Sequence, residues 1–147
     1  MGVHYFNEDV AFPKIKKRIT TGWIKQVISI EEKRVGDISF IFCSDEYLLE
    51  VNRKYLNHDY FTDIITFDNV EGSFISGDIF VSVDRVKENS VEFATSFDNE
   101  IHRIIIHGVL HLLGYKDKVK KDKHLMTQKE DLYLKLFNDS YLLTKNV

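Results

Sequence analysis

Apolar residues recur along this chain at two periods, and the changes from one to the other predict its elements. "VHYF" at 3 to 6 reads as a short strand. From Lys14 to about Ile30, Ile15, Ile19, Ile24, Val27 and Ile28 return near helical spacing, and Pro13 stands where such a helix could open. The period drops to two in "DISFIFC", where Ile38, Phe40 and Phe42 fall on one face of a strand. Ser44 or Asp45 can then cap a helix carrying Tyr47, Leu48, Val51 and Tyr55. "DIITF" and "GDIFVSV" are two β-rich runs with Glu71 to Ser76 between them, a hairpin or a looser antiparallel pair. A short helix follows Asp84, a longer one runs from about Asp98 through Leu113, and a last one from about Asp122 to Phe137. Strands and helices mix without strict alternation. The predicted fold is therefore α+β, with a mixed sheet of about four strands packed with helices.

Composition narrows the class. The 147 residues fit one domain spanning 1–147 and suffice for a sizeable core. With 44% hydrophobic and 13% aromatic residues, a packed globule is expected and disorder is not. A net charge of −3 gives no global footprint for nucleic acid, so any anionic partner must be held by local patches. The single cysteine, Cys43, excludes an internal disulfide and any multi-cysteine zinc site, and its place in an apolar strand predicts a buried thiol in a reducing compartment. The N-terminus does not read as a secretory signal, and no apolar stretch approaches the roughly 20 residues of a membrane span. A soluble, cytoplasmic protein is expected.

The run "HGVLHLLGYKD" (107 to 117) breaks the apolar pattern with two imidazoles. Four residues apart on a helix means about 40° around the axis, so His107 and His111 share a face and can grip one ion. Gly114 lies where that helix should end, and the turn can bring Asp117 back as a third ligand. Three protein ligands leave a tetrahedral ion one position for water, the pattern of a catalytic site. The competing reading is a pair of core histidines satisfied by other partners. A zinc peptidase of the H-E-x-x-H type is excluded because Gly108 stands where its glutamate would be. His124 is a rival third ligand, and His102, roughly 140° away from His107, falls outside the set.

These residues closely resemble the signature of the YbeY family, H-G-x-L-H-L-x-G-Y-D-H, at His107, Gly108, Leu110, His111, Leu112, Gly114 and Tyr115. "LLEVNRKYLNHDYFTDIITFD" and "SGDIFVS" resemble further family segments, so the likeness spans most of residues 48 to 117. It implies a metal-dependent, single-strand-specific endoribonuclease. Such an enzyme acts in maturation of the 3′ end of small-subunit ribosomal RNA and in ribosome quality control, with RNA and the ribosome as partners and one Zn²⁺ per chain. The chain departs from the pattern twice. Asp117 replaces the third histidine, after Lys116 in place of an aspartate, and Leu56 replaces an arginine that the family directs at phosphate.

Cations that could replace that arginine are Arg53, His58 and the lysines around the third ligand: Lys116, Lys118, Lys120, Lys121 and Lys123. "KIKKR" at 14 to 18 adds four more, or is a solvated face. No protein group stands out as general base; Asp63 and Asp78 could orient the site or simply cap strands. Two other classes remain open: a zinc hydrolase with another substrate, and a ribosome-associated factor with a structural metal. Two histidines and a carboxylate also suit non-haem iron oxygenases, but those mount their ligands on a β-barrel, not a helix.

Overall fold

The computed structural model describes residues 1–142. In chain order its elements are β1 (Gly2–Asn7), α1 (Lys17–Ile30), β2 (Arg34–Cys43), α2 (Asp45–Leu56), β3 (Ile64–Asp68), β4 (Phe74–Ser82), α3 (Val83–Glu92), α4 (Phe97–Leu112) and α5 (Lys120–Phe137), closed by a π-helical turn, Asn138–Leu142. The four strands form one sheet in the order β1-β2-β4-β3. β1 and β4 both run parallel to β2, whereas β3 pairs antiparallel with β4, so the sheet is mixed as the pattern predicts.

Alternation along β3 and β4 assigns the two faces of the sheet. Ile64, Ile79 and Val81 point into the larger core with Trp23, Ile24, Ile105 and Val109 of α1 and α4. Ile65, Phe67 and Phe80 point the other way, where α2 covers them with Leu48 and Val51. Cys43 belongs to this second cluster, and burial pushes its thiol up to about 12, so it is an inert core group. α5 packs on the outer side of the larger core, where Tyr133, Leu134 and Phe137 are buried and the Trp23 indole donates to the Tyr133 carbonyl at 2.9 Å.

Three of the boundaries that differ from the sequence expectation have a clear local cause. α1 opens at Lys17, not Lys14, because Pro13 is buried, the Ile15 amide turns back to the Pro13 carbonyl at 2.8 Å, and Ile15 packs against the core. β4 begins at Phe74, so the connection from β3 is shorter than Glu71 to Ser76; Gly72 turns it at φ +59°. Val83 leaves the strand for α3, since the Ser82 hydroxyl accepts from the Arg85 amide and starts a helix there. Ser44 caps α2 as expected, accepting from the Tyr47 amide at 3.0 Å.

Glu31, at the end of α1, ties three elements together. It accepts from the Tyr115 hydroxyl at 2.5 Å, from the Lys129 ammonium at 3.1 Å and from the Tyr133 hydroxyl. Burial would raise its pKa, but the Tyr115, Tyr133 and Lys129 donors together outweigh that and hold it below the ordinary value. A lowered carboxyl pKa contributes stability above the unfolded value of about 4.3, which is lost as pH falls through the folded value. Glu31→Gln should therefore cost about 1–2 kcal/mol at pH 7. The gap between thermal melts of the two proteins should begin to narrow as pH falls below about 4.3 and close once the folded-state carboxyl is protonated. A gap of constant size from pH 7 into the acid range would show that the charge is not what these donors hold.

Candidate metal centre

α4 is capped at its start by Ser96, whose hydroxyl accepts from the Asn99 amide at 3.0 Å, and runs through the core to Leu112. Its end is a Schellman turn: the Gly114 amide donates to His111 and the Tyr115 amide to Leu110, both at 3.0 Å. Gly114 takes φ +105°, a conformation that side chains disfavour. The chain thereby doubles back over the last helical turn and returns Asp117 to the face carrying His107 and His111.

The three side chains converge. His107 and His111 approach Nε2 to Nε2 at 3.0 Å, and Asp117 Oδ2 lies 3.2 Å from the first and 3.3 Å from the second. Tetrahedral ligation at about 2.0–2.1 Å requires ligand atoms about 3.3 Å apart, which is the triangle these atoms form. No other group of three His, Cys, Asp or Glu side chains converges in this way among the described residues. His124 is exposed and stands outside the cluster. His102 faces elsewhere, stacked on Phe137 at 4.3 Å, its Nδ1 bonded to the Asp98 carbonyl.

The outer nitrogens fix the tautomers. His107 Nδ1 is 2.6 Å from Glu130 Oε2 and His111 Nδ1 is 3.0 Å from the Tyr115 carbonyl. Both partners only accept, so each Nδ1 carries its proton and each neutral ring presents its Nε2 lone pair inward. Two lone pairs and a carboxylate oxygen facing one another repel unless a cation or proton lies between them. The donor set thus fits a divalent ion. Without one, burial pulls the His107 pKa down, but Glu130, Asp117 and Asp63 outweigh it and the net shift is upward. His111 is shifted down by burial and by His107, against Asp117.

Sequence reasoning missed Glu130. It sits on α5, 8% exposed, and its other oxygen accepts from Arg103 at 2.9 Å. A carboxylate behind a ligating imidazole sets ring orientation and basicity. The contact spans 23 residues between two helices. A local motif holds no information on which residue of α5 faces α4.

The ligand face opens into a cleft of about 430 Å³ whose walls include Leu56, His58, Tyr60, Asp63, Thr66 and Lys118. Among the cations expected there, His58 and Lys118 line it. Arg53 does not. On α2 it is the neighbour Asn52 that faces the cleft, and Arg53, about 100° further round, bonds Glu50 at 2.7 Å and Asp59 at 2.5 Å on the outer surface. Lys116, Lys120 and Lys121 are exposed and outside the lining, the latter two because α5 begins at Lys120, two residues earlier than expected. Asp63 stands in the wall, and burial raises its pKa in spite of His107. Asp78 lies away from the cleft, on β4 opposite Ser39 and Phe67.

Three comparisons bear on this site. A family model described as Endoribonuclease YbeY matches residues 5–138. The protein named Endoribonuclease YbeY of Parabacteroides distasonis is 53% identical over 131 residues, covering 89% of this chain and 92% of the relative. That of Phocaeicola vulgatus is 52% identical over 136 residues, covering 92% and 99%. Among solved structures, TM1509 from Thermotoga maritima superposes with a TM-score of 0.65 at 25% identity, covering 93% of this chain and 90% of that one.

Proposed function

The chain belongs to the YbeY endoribonuclease family, and from that premise we propose that residues 1–147 form one hydrolase domain that cleaves single-stranded RNA phosphodiesters at a zinc centre held by His107, His111 and Asp117. The observation that carries this reading is the inward pair of Nε2 lone pairs beside the Asp117 oxygen, each imidazole locked by its own acceptor. Nitrogen and carboxylate donors at tetrahedral spacing suit zinc. Its natural substrate is the 3′ region of small-subunit ribosomal RNA, its setting the ribosome in the cytoplasm, and its wider role ribosome quality control. No helix of the described residues is long and apolar enough to cross a membrane.

A divalent ion held by His107, His111 and Asp117 would supply Lewis acidity, lowering the pKa of a water toward neutrality and polarising a phosphoryl oxygen. The protein's own groups do the rest. Glu130 and the Tyr115 carbonyl hold the two rings in one orientation. Asp63, in the cleft wall beside the ligand face, is the carboxyl placed to face the reacting phosphate or its water. Lys118 and His58 are the cleft's cationic or potentially cationic groups, and they stand in for the arginine absent at Leu56. The exposed Tyr60 ring, stacked on His58 at 5.2 Å, offers a platform for an unstacked base, which favours single strands.

Elemental analysis and an oligoribonucleotide cleavage assay with and without chelator test the reading together. One zinc per chain and chelator-sensitive cleavage are expected, with occupancy falling below about pH 6 as protons compete for Nε2. Asp117→Ala should lose most of the metal. Full occupancy in that variant would remove Asp117 from the ligand set and bring His124 back into question.

A further inference from the structure

The charge run "KIKKR" lies outside the cleft, and its surroundings have the features of a second binding site. We propose that the cavity at the start of α1 binds a phosphate group of the RNA strand, apart from the cleavage centre; this rests on the reading of the chain as an RNA-cleaving enzyme. The cavity, about 240 Å³, lies where α1, the start of α4 and the end of α5 meet, and its walls include Lys14, Lys16, Ile19, Thr20, Asp98 and Phe137.

Two independent features point to an anion. Lys16, the residue before α1, gives no side-chain cap, and the first turn holds no acidic residue. The opening amides of the helix therefore keep their donors and the positive end of its dipole unanswered, beside two lysines. The second feature is Thr20, fully buried in the cavity lining, whose hydroxyl has no hydrogen-bond partner among the described residues. A buried hydroxyl without a partner is rare and destabilising. A phosphate oxygen seated over the first turn would satisfy it, directly or through one water. Asp98 is the single carboxylate of the lining, placed toward His102 at 3.8 Å and set against Lys14 and Lys16.

Two further features favour a nucleotide of RNA over a bare ion. The rest of the lining is apolar or aromatic, with Ile15, Ile19, Phe137 and Tyr141, which suits a phosphate bearing a sugar and a base. The positive charge also continues past the cavity: Lys17, Arg18 and Lys25 line the adjoining groove between α1 and β1, beside Tyr5 and the exposed Phe6. A stripe of cations interleaved with rings tracks successive phosphates of a strand, whereas a site for a small phosphorylated molecule would need only the cavity. His102, in the cavity wall, is roughly 140° around α4 from His107, so this site and the metal cleft occupy different flanks of the same helix. RNA held here is a part of the strand away from the bond being cut.

The test uses the metal-loaded protein and two probes. Inorganic phosphate, titrated by NMR, should shift the amides of Lys17, Arg18, Ile19 and Thr20. The double variant Lys14→Gln, Lys16→Gln and, separately, Thr20→Val should each weaken phosphate at least about fivefold, as removal of a bond to a charged group does. Thr20→Val should melt no lower than the parent, since it removes an unsatisfied hydroxyl. A labelled single-stranded oligoribonucleotide, followed by anisotropy, should show its salt slope reduced by up to about 1.4 in the double variant, at about 0.7 for each phosphate no longer neutralised. Unmoved amides at 17 to 20 would overturn the site. Phosphate binding abolished in the variants with an unchanged RNA salt slope would overturn the RNA assignment in favour of a small phosphorylated ligand. The phosphate titration needs no cleavage, so binding here by a protein that cuts no RNA would count against the ribonuclease reading alone.

Discussion

Alanine at His107 should empty the metal centre and abolish RNA cleavage while leaving the chain folded. The ring is part-buried, but the partner it leaves behind is not stranded: Glu130 keeps Arg103 at 2.9 Å, and Arg103 also reaches Asp131 at 2.8 Å. The melting point should therefore fall modestly, whereas activity loses the several kcal/mol that a Lewis acid contributes, a drop of at least about 10³-fold. Glu130→Gln should behave differently. It keeps a hydrogen-bond acceptor for Nδ1 but loses the charge, so metal affinity should drop about 10–100-fold and cleavage should recover when zinc is added. His111→Ala distinguishes an enzyme from a factor with a structural ion. A folded, metal-free and inactive protein supports the enzyme, and a chain that no longer folds supports the structural ion. Metal analysis, circular dichroism and a cleavage assay on the three variants decide it; undiminished cleavage in His107→Ala would sink the metal centre as the catalytic one.

What the sequence disclosed of this site followed from how local its geometry is. His107, His111 and Asp117 lie within eleven residues of one another, so a helical period and one glycine suffice to bring them together. The fold class was legible for the same reason: strand alternation in "DISFIFC" and the apolar repeats of α1 and α4 are local signals that the observed core uses directly. Contacts between distant elements left no such trace. Glu130 meets His107 only because α5 packs on α4 in one register, and Glu31 meets Tyr115 across 84 residues. Arg53 was misplaced through phase: proximity in sequence put it near the cleft, but one step along α2 from Asn52 turned it to Glu50 and Asp59. The orphan hydroxyl of Thr20 was equally silent, since burial without a partner is a property of packing.

Gly108 matches the family signature and excludes a peptidase, and its surroundings explain why a glycine stands there. The sequence excludes an H-E-x-x-H peptidase because glycine replaces the glutamate, and the packing shows why no larger residue stands there. Gly108 is buried against the sheet, and a Cβ on it would come within 2.9 Å of Ile79 Cγ2 and 3.0 Å of Ile64 Cδ1. Ile79 Cγ2 is the methyl on a branched β-carbon in the larger core, and Ile64 packs against that core, beneath the helix that carries the ligands. Gly108→Ala should therefore be destabilising in spite of alanine's better helix propensity. Propensity contributes about 1 kcal/mol in its favour, whereas overpacking costs about 1–3 kcal/mol and pushes α4 off β3 and β4. Because Asp63 in the cleft wall directly precedes β3, a shift between that strand and α4 should also loosen the cleft, and metal affinity should fall with stability. Gly108→Glu adds a buried carboxylate with no partner and should not fold. Denaturant melts and zinc titrations of Gly108→Ala provide the check: an alanine variant as stable as the parent, binding zinc equally well, would mean that the space above Ile79 is not what fixes the helix on the sheet.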